Sequence, residues 1–195
     1  MKRTNAEKNN GGGQTKSQYK STERTSAEEE PHVTQLNGLP NRAPPWPQSE
    51  LKNENMFILP TRIKSRDSIA VSGQMQNGPK ILTVGLITGY SSADYENVAC
   101  QLEMNYPPNN EDKIIVKIIK DGYPQIINDN IPTSGYSEGT DFKVMFRMRE
   151  QGYVDIYVGE MFLQQIELKH SPDEIRFLSV SGDVDKVTGL EFQFD

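Results

Sequence analysis

The sequence predicts an all-β fold, an antiparallel β-sandwich formed by residues 56–195 behind a disordered N-terminal arm, residues 1–55. Three observations predict it. Short β-prone runs recur about every ten residues after position 55, with Gly, Pro, Asn and Asp between them. Residues 141–149 alternate apolar and polar side chains, which is the period of a half-buried strand. No helical period of apolar residues is found in 56–195, so about nine to eleven strands are expected.

The arm is predicted because its composition cannot support a core. Residues 1–55 contain almost no large apolar side chains, and they include three consecutive glycines at 11–13 and three glutamates at 28–30. Such a segment buries too little apolar area to offset the conformational entropy lost on ordering. Hydrophobic residues make up 34% of the chain and concentrate after residue 55. We therefore expect the arm to be dispensable for folding.

The end of the arm is rich in proline. The segment Pro44-Pro45-Trp46-Pro47 has a PxxP spacing and is expected to sample polyproline II. It could be recognised by an SH3 or WW domain as a partner. A stiff linker is the alternative that we favour.

The predicted strands occupy ten runs in chain order. These runs are 68–74, 80–87, 98–105, 113–120, 125–130, 141–149, 152–158, 161–168, 175–181 and 190–194. The first run ends before the turn Asn77-Gly78-Pro79, and residues 98–105 end before two prolines. Residues 113–120 are strongly β-branched and end at Asp121-Gly122.

The hairpin formed by 152–158 and 161–168 has a turn signal of its own. Gly159-Glu160 separates the two runs by two residues, the spacing of a tight hairpin turn. Alternation in 141–149 and 152–158 defines which side chains point inward. The predicted core residues are Phe142, Val144, Phe146, Val154, Ile156 and Leu178.

Charge limits the partners. The first 55 residues carry 8 Lys/Arg against 7 Asp/Glu, whereas residues 56–195 carry 13 against 20. An acidic domain is a poor electrostatic partner for nucleic acid or for an anionic membrane surface. The chain has no run of about 18 apolar residues, so no membrane insertion is expected. The expected location is cytoplasmic, with unconventional secretion left open.

The side chains that carry enzyme chemistry are scarce. Two histidines, His32 and His170, fall in predicted irregular segments. The one cysteine, Cys100, lies in a predicted strand and is expected to pack as a small apolar residue. Asp183-Val184-Asp185 has too few ligands for calcium, and a turn is the better interpretation. We therefore expect no enzyme activity and no cofactor.

The order of the segments resembles a galectin carbohydrate-recognition domain. The residues that carry the resemblance are Ser68-Ile69-Ala70-Val71-Ser72-Gly73, Val98-Ala99-Cys100-Gln101-Leu102-Glu103, and Ile175-Arg176-Phe177-Leu178-Ser179-Val180-Ser181-Gly182 with the terminal Leu190-Glu191-Phe192. The resemblance covers about 140 residues, a length that can fold as one domain. It implies a galectin-like, jelly-roll (concanavalin-like) sandwich with a ligand on the concave face of one sheet.

The galectin sugar-binding signature is replaced in this sequence. Galectins hold galactose with a histidine, an asparagine and an arginine at alternate positions of one strand, where this chain has Gln101, Glu103 and Asn105. The asparagine of the next strand matches Ile118, or Lys117 if the strand shifts by one residue. The stacking tryptophan matches a position near Gln125. The glutamate and the arginine beyond it match Asn128 and Asn130, respectively.

Two functions follow from the resemblance. The candidate ligand-binding residues on the concave face are Gln101, Glu103, Asn105, Asn128 and Asn130. The first hypothesis is a binding module that has lost the family's β-galactoside binding and engages a protein ligand. The alternative is a lectin with altered glycan specificity, in which these polar side chains bind sugar hydroxyls.

Overall fold

A computed structural model describes residues 53–108, 111–136 and 140–195. The described part of the chain contains eleven β-strands. In chain order they are β1 (Asn55–Ile58), β2 (Ser68–Met75), β3 (Ile81–Gly89), β4 (Ala93–Asn105), β5 (Lys113–Lys120), β6 (Tyr123–Ile131), β7 (Asp141–Met148), β8 (Tyr153–Val158), β9 (Met161–Glu167), β10 (Ile175–Gly182) and β11 (Val184–Gln193). The remaining regular structure is three 3-10 turns of three residues each.

The strands form two antiparallel sheets. The six-stranded sheet has the order β1-β10-β3-β4-β5-β6, and the five-stranded sheet has the order β11-β2-β7-β8-β9. The all-β sandwich predicted from the sequence is confirmed. The Gly159-Glu160 turn is also confirmed, because β8 and β9 pair directly from Val158 to Met161. Within the described ranges, no helix has the length and apolarity to cross a bilayer.

The core lies between the two sheets. Alternate residues of each strand point inward, and those of β3, β4 and β5 meet those of β2, β7 and β8 in one cluster. Five of the six predicted core residues are 0% exposed, and Phe142 is 6% exposed. Cys100 is fully buried in the same cluster, as expected of a small apolar side chain. Burial raises the pKa of its thiol, so the sulfur stays protonated.

The strands differ most from the prediction at three places, one of which is β1, a strand that the ten predicted runs do not include. β1 begins at Asn55, one residue before the predicted domain boundary. β4 begins at Ala93, inside a predicted loop, because Thr88 pairs with Asp94 across two β-bulges. The polar residues of this segment and the bulges hide its period from the sequence pattern. β11 begins at Val184, because pairing with β2 extends the strand before the predicted start.

The Asp183 side chain has a backbone role. Its Oδ2 accepts hydrogen bonds from the backbone N–H groups of Lys80 and Ile81, at 2.7 and 3.3 Å. The carboxylate therefore ties the start of β3 to the turn between β10 and β11. This contact accounts for the aspartate in a segment that could suggest a calcium site.

Deleting residues 1–50 is expected to leave the free energy of unfolding nearly unchanged. The reason is that the sandwich core is built from side chains of the two sheets. Urea denaturation of the full chain and of the truncated chain, compared at one pH, measures the difference. The proline-rich segment and the rest of the arm up to residue 52 lie outside the described residues. A loss above about 1 kcal/mol would contradict the prediction that the arm is dispensable.

Candidate ligand-binding face

β4 presents three of the predicted site residues on one face. Leu102 and Met104 point into the core, so Gln101, Glu103 and Asn105 project from the outer face of the six-stranded sheet. Gln101 and Glu103 are half-buried, and Asn105 is 8% exposed. The structure thus brings these three residues together in one row.

The neighbouring strand β5 adds Lys117 to this row. Lys117 pairs directly with Gln101, so the two side chains share the outer face. Ile118 points the other way and is 1% exposed in the core. The match of Ile118 to the binding face is therefore wrong, and the one-residue shift that places Lys117 there is correct. Five of the eight residues of β5 are isoleucine or valine, and they lie on both sides of Lys117. Only the pairing with β4 therefore decides which residues of β5 face outward.

Glu103 is the centre of a charged cluster. Lys117 Nζ lies 3.1 Å from Glu103 Oε2, and Asn105 Nδ2 donates to Glu103 Oε1 at 3.1 Å. The Lys117 side chain is 11% exposed and that of Glu103 is 19% exposed. A pair this poorly hydrated is screened much less than a surface pair. Both carboxylate oxygens of Glu103 are therefore engaged within the face.

Asn128, a predicted site residue of β6, does not lie on this outer face. It pairs with Val116, an inward-facing residue of β5, and its Nδ2 donates to Gln164 Oε1 of β9 at 2.9 Å. Asn128 therefore links the edges of the two sheets and does not line the outer face as predicted. The cause is a register shift between Val116 and Lys117 in the pairing of β5 with β6. The shift adds one residue to β6, so Asn128 points to the opposite face from the one that regular alternation predicts.

The other predicted positions on β6 also differ in role. The backbone N–H of Asn130 donates to Asn128 Oδ1 at 3.1 Å, and the Asn130 side chain is exposed. Gln125 pairs with Ile118 on the inward side. Ile126 pairs with Lys117, so it projects from the outer face, where it is 59% exposed. An aliphatic side chain therefore lies near the position that the resemblance assigns to a stacking tryptophan.

Sequence reasoning missed the residues that β10 and β3 contribute. Ser179 and Ser181 of β10 alternate with the core residues Leu178 and Val180, and Thr83 of β3 lies beside them. Ser181 is 1% exposed, and its hydroxyl has no hydrogen-bond partner among the residues that the structure describes. Period-2 alternation in β10 could have identified both serines as outward-facing.

The far end of the same face is apolar. Ile87, Val98, Ile119 and Phe177 form a second buried cluster, against which Met56 and Tyr95 pack. We call this group the apolar end. It adjoins the polar row because Ile119 and Lys117 project from the same face of β5.

Glu54 lies over the apolar end. Tyr95 donates its hydroxyl to Glu54 Oε2 at 2.5 Å, and Ser179 Oγ donates to Glu54 Oε1. Burial, followed by the hydrogen bond to Glu54, raises the pKa of the Tyr95 phenol. Tyr95 therefore remains neutral and acts as a hydrogen-bond donor.

The fold is that of a galectin-like carbohydrate-recognition domain. No protein-family model matches the sequence, and no curated protein matches it. Solved structures of galectins do match the fold. Sheep galectin-11, solved in complex with glycerol, aligns with a TM-score of 0.56 at 15% identity over 73% of this chain and 99% of that chain.

Two other solved structures match the same fold. CG-16, a homodimeric agglutinin from chicken liver, aligns with a TM-score of 0.58 at 13% identity, covering 72% of this chain and 99% of that one. The Caenorhabditis elegans galectin LEC-6 aligns with a TM-score of 0.58 at 8% identity, over 73% and 92% of the two chains. Identities this low relate the chain to galectins by fold.

Proposed function

We propose that this protein is a non-enzymatic binding module that takes up an extended protein segment on the outer face of the six-stranded sheet. We also propose that it lacks the β-galactoside binding typical of galectins. The observation that carries the proposal is the state of Glu103. Its two carboxylate oxygens contact Lys117 and Asn105, so the charged and polar groups at the centre of the face are already paired with one another.

A galactoside would find few of its usual contacts here. Sugar hydroxyls would have to compete with the Glu103–Lys117 pair, and separating a poorly hydrated ion pair is costly. The described strands β4, β5 and β6 contain no arginine, histidine or tryptophan. These strands therefore offer no indole ring for the C–H surface of a sugar and no guanidinium fork for its hydroxyls.

An extended protein segment fits the face better. Such a segment presents alternating side chains together with backbone donors and acceptors. Ile126 offers exposed apolar surface beside the polar row, and Ile115 is half-buried on the same face.

Catalysis is not supported by the chemistry of this face. A general base needs a carboxylate or imidazole that can accept a proton from a substrate. Glu103 is held by a cation and an amide donor, and Cys100 is buried in the core of the sandwich. We therefore place the protein among binding proteins.

Selection of random peptides on the full chain tests the proposal. Enriched peptides are expected to bind the wild-type protein and to bind the Ile126→Asp variant at least about tenfold more weakly, because a charge replaces apolar contact surface. Phe162→Asp is the matched control, since Phe162 is similarly exposed but lies on the five-stranded sheet. Selection that yields no binder, or binders that lose affinity equally with both variants, would overturn the proposal.

The alternative is a lectin with altered specificity, favoured by the row of Gln101, Glu103 and Asn105. Amide and carboxylate groups in one row can bind several hydroxyls. A glycan array probed with the wild-type chain and with Glu103→Ala distinguishes the two. Specific glycan binding that disappears in Glu103→Ala would establish the lectin and overturn the protein-ligand proposal.

A further inference from the structure

A cavity at one end of the six-stranded sheet lies outside the proposed binding face. Its volume is about 820 Å³, and residues from three loops and strand ends line it. Thr88 and Asp94 pair near the closed end of the β3–β4 hairpin beside it, and Lys120 ends β5. The loop between β9 and β10 supplies His170. The cavity is therefore built by elements that the sheet register brings to the same end.

The cavity is rich in cationic side chains. Arg62, Lys120, Lys169 and Arg176 line it together with His170. Two of the cations are already engaged. Lys169 Nζ lies 2.8 Å from Glu167 Oε2, and Lys120 Nζ donates to the backbone carbonyl of Lys169 at 3.5 Å. The His170 Nε2 lies 2.9 Å from the carbonyl oxygen of Ile119.

Arg62 and Arg176, unlike the two lysines, are not engaged by neighbouring residues of the described ranges. The guanidinium groups of Arg62 and Arg176 make no hydrogen bond and no ion pair with any residue in the ranges 53–108, 111–136 and 140–195. The Nε of Arg176 is also shielded from solvent without an acceptor. A buried N–H on a charged group without an acceptor is costly, and it calls for a bound partner.

Three carboxylates also line the cavity, and each is held within its own loop. Asp94 accepts from the backbone N–H of Glu96 and from Asn97 Nδ2, both at 3.0 Å. Asp173 accepts from Ser171 Oγ, and Glu174 Oε2 accepts from the backbone N–H of Ser171 at 3.1 Å. None of them pairs with Arg62 or Arg176, so the two guanidinium groups keep their donors for a ligand.

The position of Arg176 also fits a binding role. It lies at a β-bulge at the start of β10, between Ile175 and Phe177. Ile175 and Phe177 belong to the two separate apolar clusters. A bulge redirects a side chain out of the regular alternation of a strand. Here it leaves Arg176 facing the cavity.

We propose that this cavity binds a tetrahedral oxyanion, a sulfate or phosphate group, through the guanidinium groups of Arg62 and Arg176. A guanidinium presents N–H donors in a planar fork that matches two oxygens of such a group. Lys120, Lys169 and His170 add positive or polar surface around it. The anion is either a free inorganic ion or the ester group of a sugar. This proposal is independent of the ligand on the outer face.

NMR titration of the full-length ¹⁵N-labelled chain tests the proposal. Inorganic sulfate and inorganic phosphate are added in separate titrations, with sodium chloride at matched ionic strength as the reference. Saturable shifts of the Arg176 Nε–Hε resonance and of amides around residues 88–94 and 169–176 are expected. Arg176→Gln and, separately, the exposed Arg62→Gln should each weaken binding about tenfold, equivalent to about 1.4 kcal/mol.

The control variant is Arg147→Gln, because Arg147 is an exposed residue of β7 on the other sheet. It should leave the dissociation constant unchanged. A further pair of titrations with galactose 6-sulfate and with galactose distinguishes the two sources of the anion. Tighter binding of the sulfated sugar than of inorganic sulfate, with no binding of galactose, assigns the site to a sugar ester. Shifts that do not saturate, or equal weakening by Arg147→Gln, would overturn the site.

Discussion

Phe146→Ala is expected to lower the free energy of unfolding by about 3–5 kcal/mol, the usual cost of removing a large core aromatic side chain. Phe146 is 0% exposed and lies on β7, the central strand of the five-stranded sheet. It pairs with Ile69 on one side and Ile156 on the other, and both neighbours are fully buried. The surrounding sheets can close such a cavity only in part, so most of the lost contact is not recovered.

Phe162→Ala is the matched control for this prediction. Phe162 is 53% exposed at the start of β9, and its ring makes an edge-on contact with Tyr157 at 5.5 Å between centroids. Its removal is expected to cost about 1 kcal/mol, the value of such an aromatic pair. Urea denaturation of the three proteins measures both losses. A loss below about 1 kcal/mol for Phe146→Ala would contradict its place in the core.

Gly182→Ala is expected to destabilise the domain by more than about 2 kcal/mol, because backbone strain and a steric clash act together. Gly182 has a φ of +104°, a conformation that L side chains rarely adopt. A Cβ at this position would lie 2.4 Å from the carbonyl oxygen of Ile81. That oxygen also accepts the backbone N–H of Asp183 at 2.8 Å, so it cannot move away without losing a hydrogen bond.

Gly78→Ala separates the cost of backbone strain from the cost of the steric clash. Gly78 has a φ of +66°, and an added Cβ would meet nothing within 4 Å. Its cost should therefore be the conformational part alone, about 1 kcal/mol. Thermal and urea unfolding of the two variants give the difference between them. Equal losses would show that β10 and β3 separate easily at Gly182, contrary to the close approach in the structure.

The alternation of apolar residues was sufficient to predict two strands of the five-stranded sheet, β7 and β8, and their inner faces. In β7 and β8 every second residue is apolar and the intervening residues are mostly polar, so each strand has one possible inner face. Gly159-Glu160 then set the register of the hairpin between β8 and β9. The local pattern alone therefore places Phe146 and Ile156 in the core, and both are fully buried.

The binding face was predicted only where alternation was unambiguous. β4 alternates between Gln101, Leu102, Glu103, Met104 and Asn105, and all three polar residues project outward as expected. The Glu103–Lys117 pair required the structure, because β5 has isoleucine and valine on both sides of Lys117 and allows two registers.

The other differences between the prediction and the structure arise from contacts between residues that lie far apart in the chain. Asn128 was matched to the binding face by position in the chain, but the bulge in β6 turns it toward Gln164 of the other sheet. The arginines of the proposed anion cavity lie more than 100 positions apart, and no local pattern relates them. A bulge or a distant contact depends on which strands meet, and that information is not contained in any short window of sequence.

The sequence was sufficient to predict a β-sandwich, because strand periodicity and turn residues are local properties. It also determined that Glu103 stands in the row where the resemblance places sugar-binding residues. Two features of the face are visible only in the folded chain. Lys117 neutralises Glu103, and Ser181 is buried in the same cross-strand row as Glu103, with Thr83 between Ser181 and Glu103. Both depend on strand register, which shifts every side chain between the two faces when it changes by one residue.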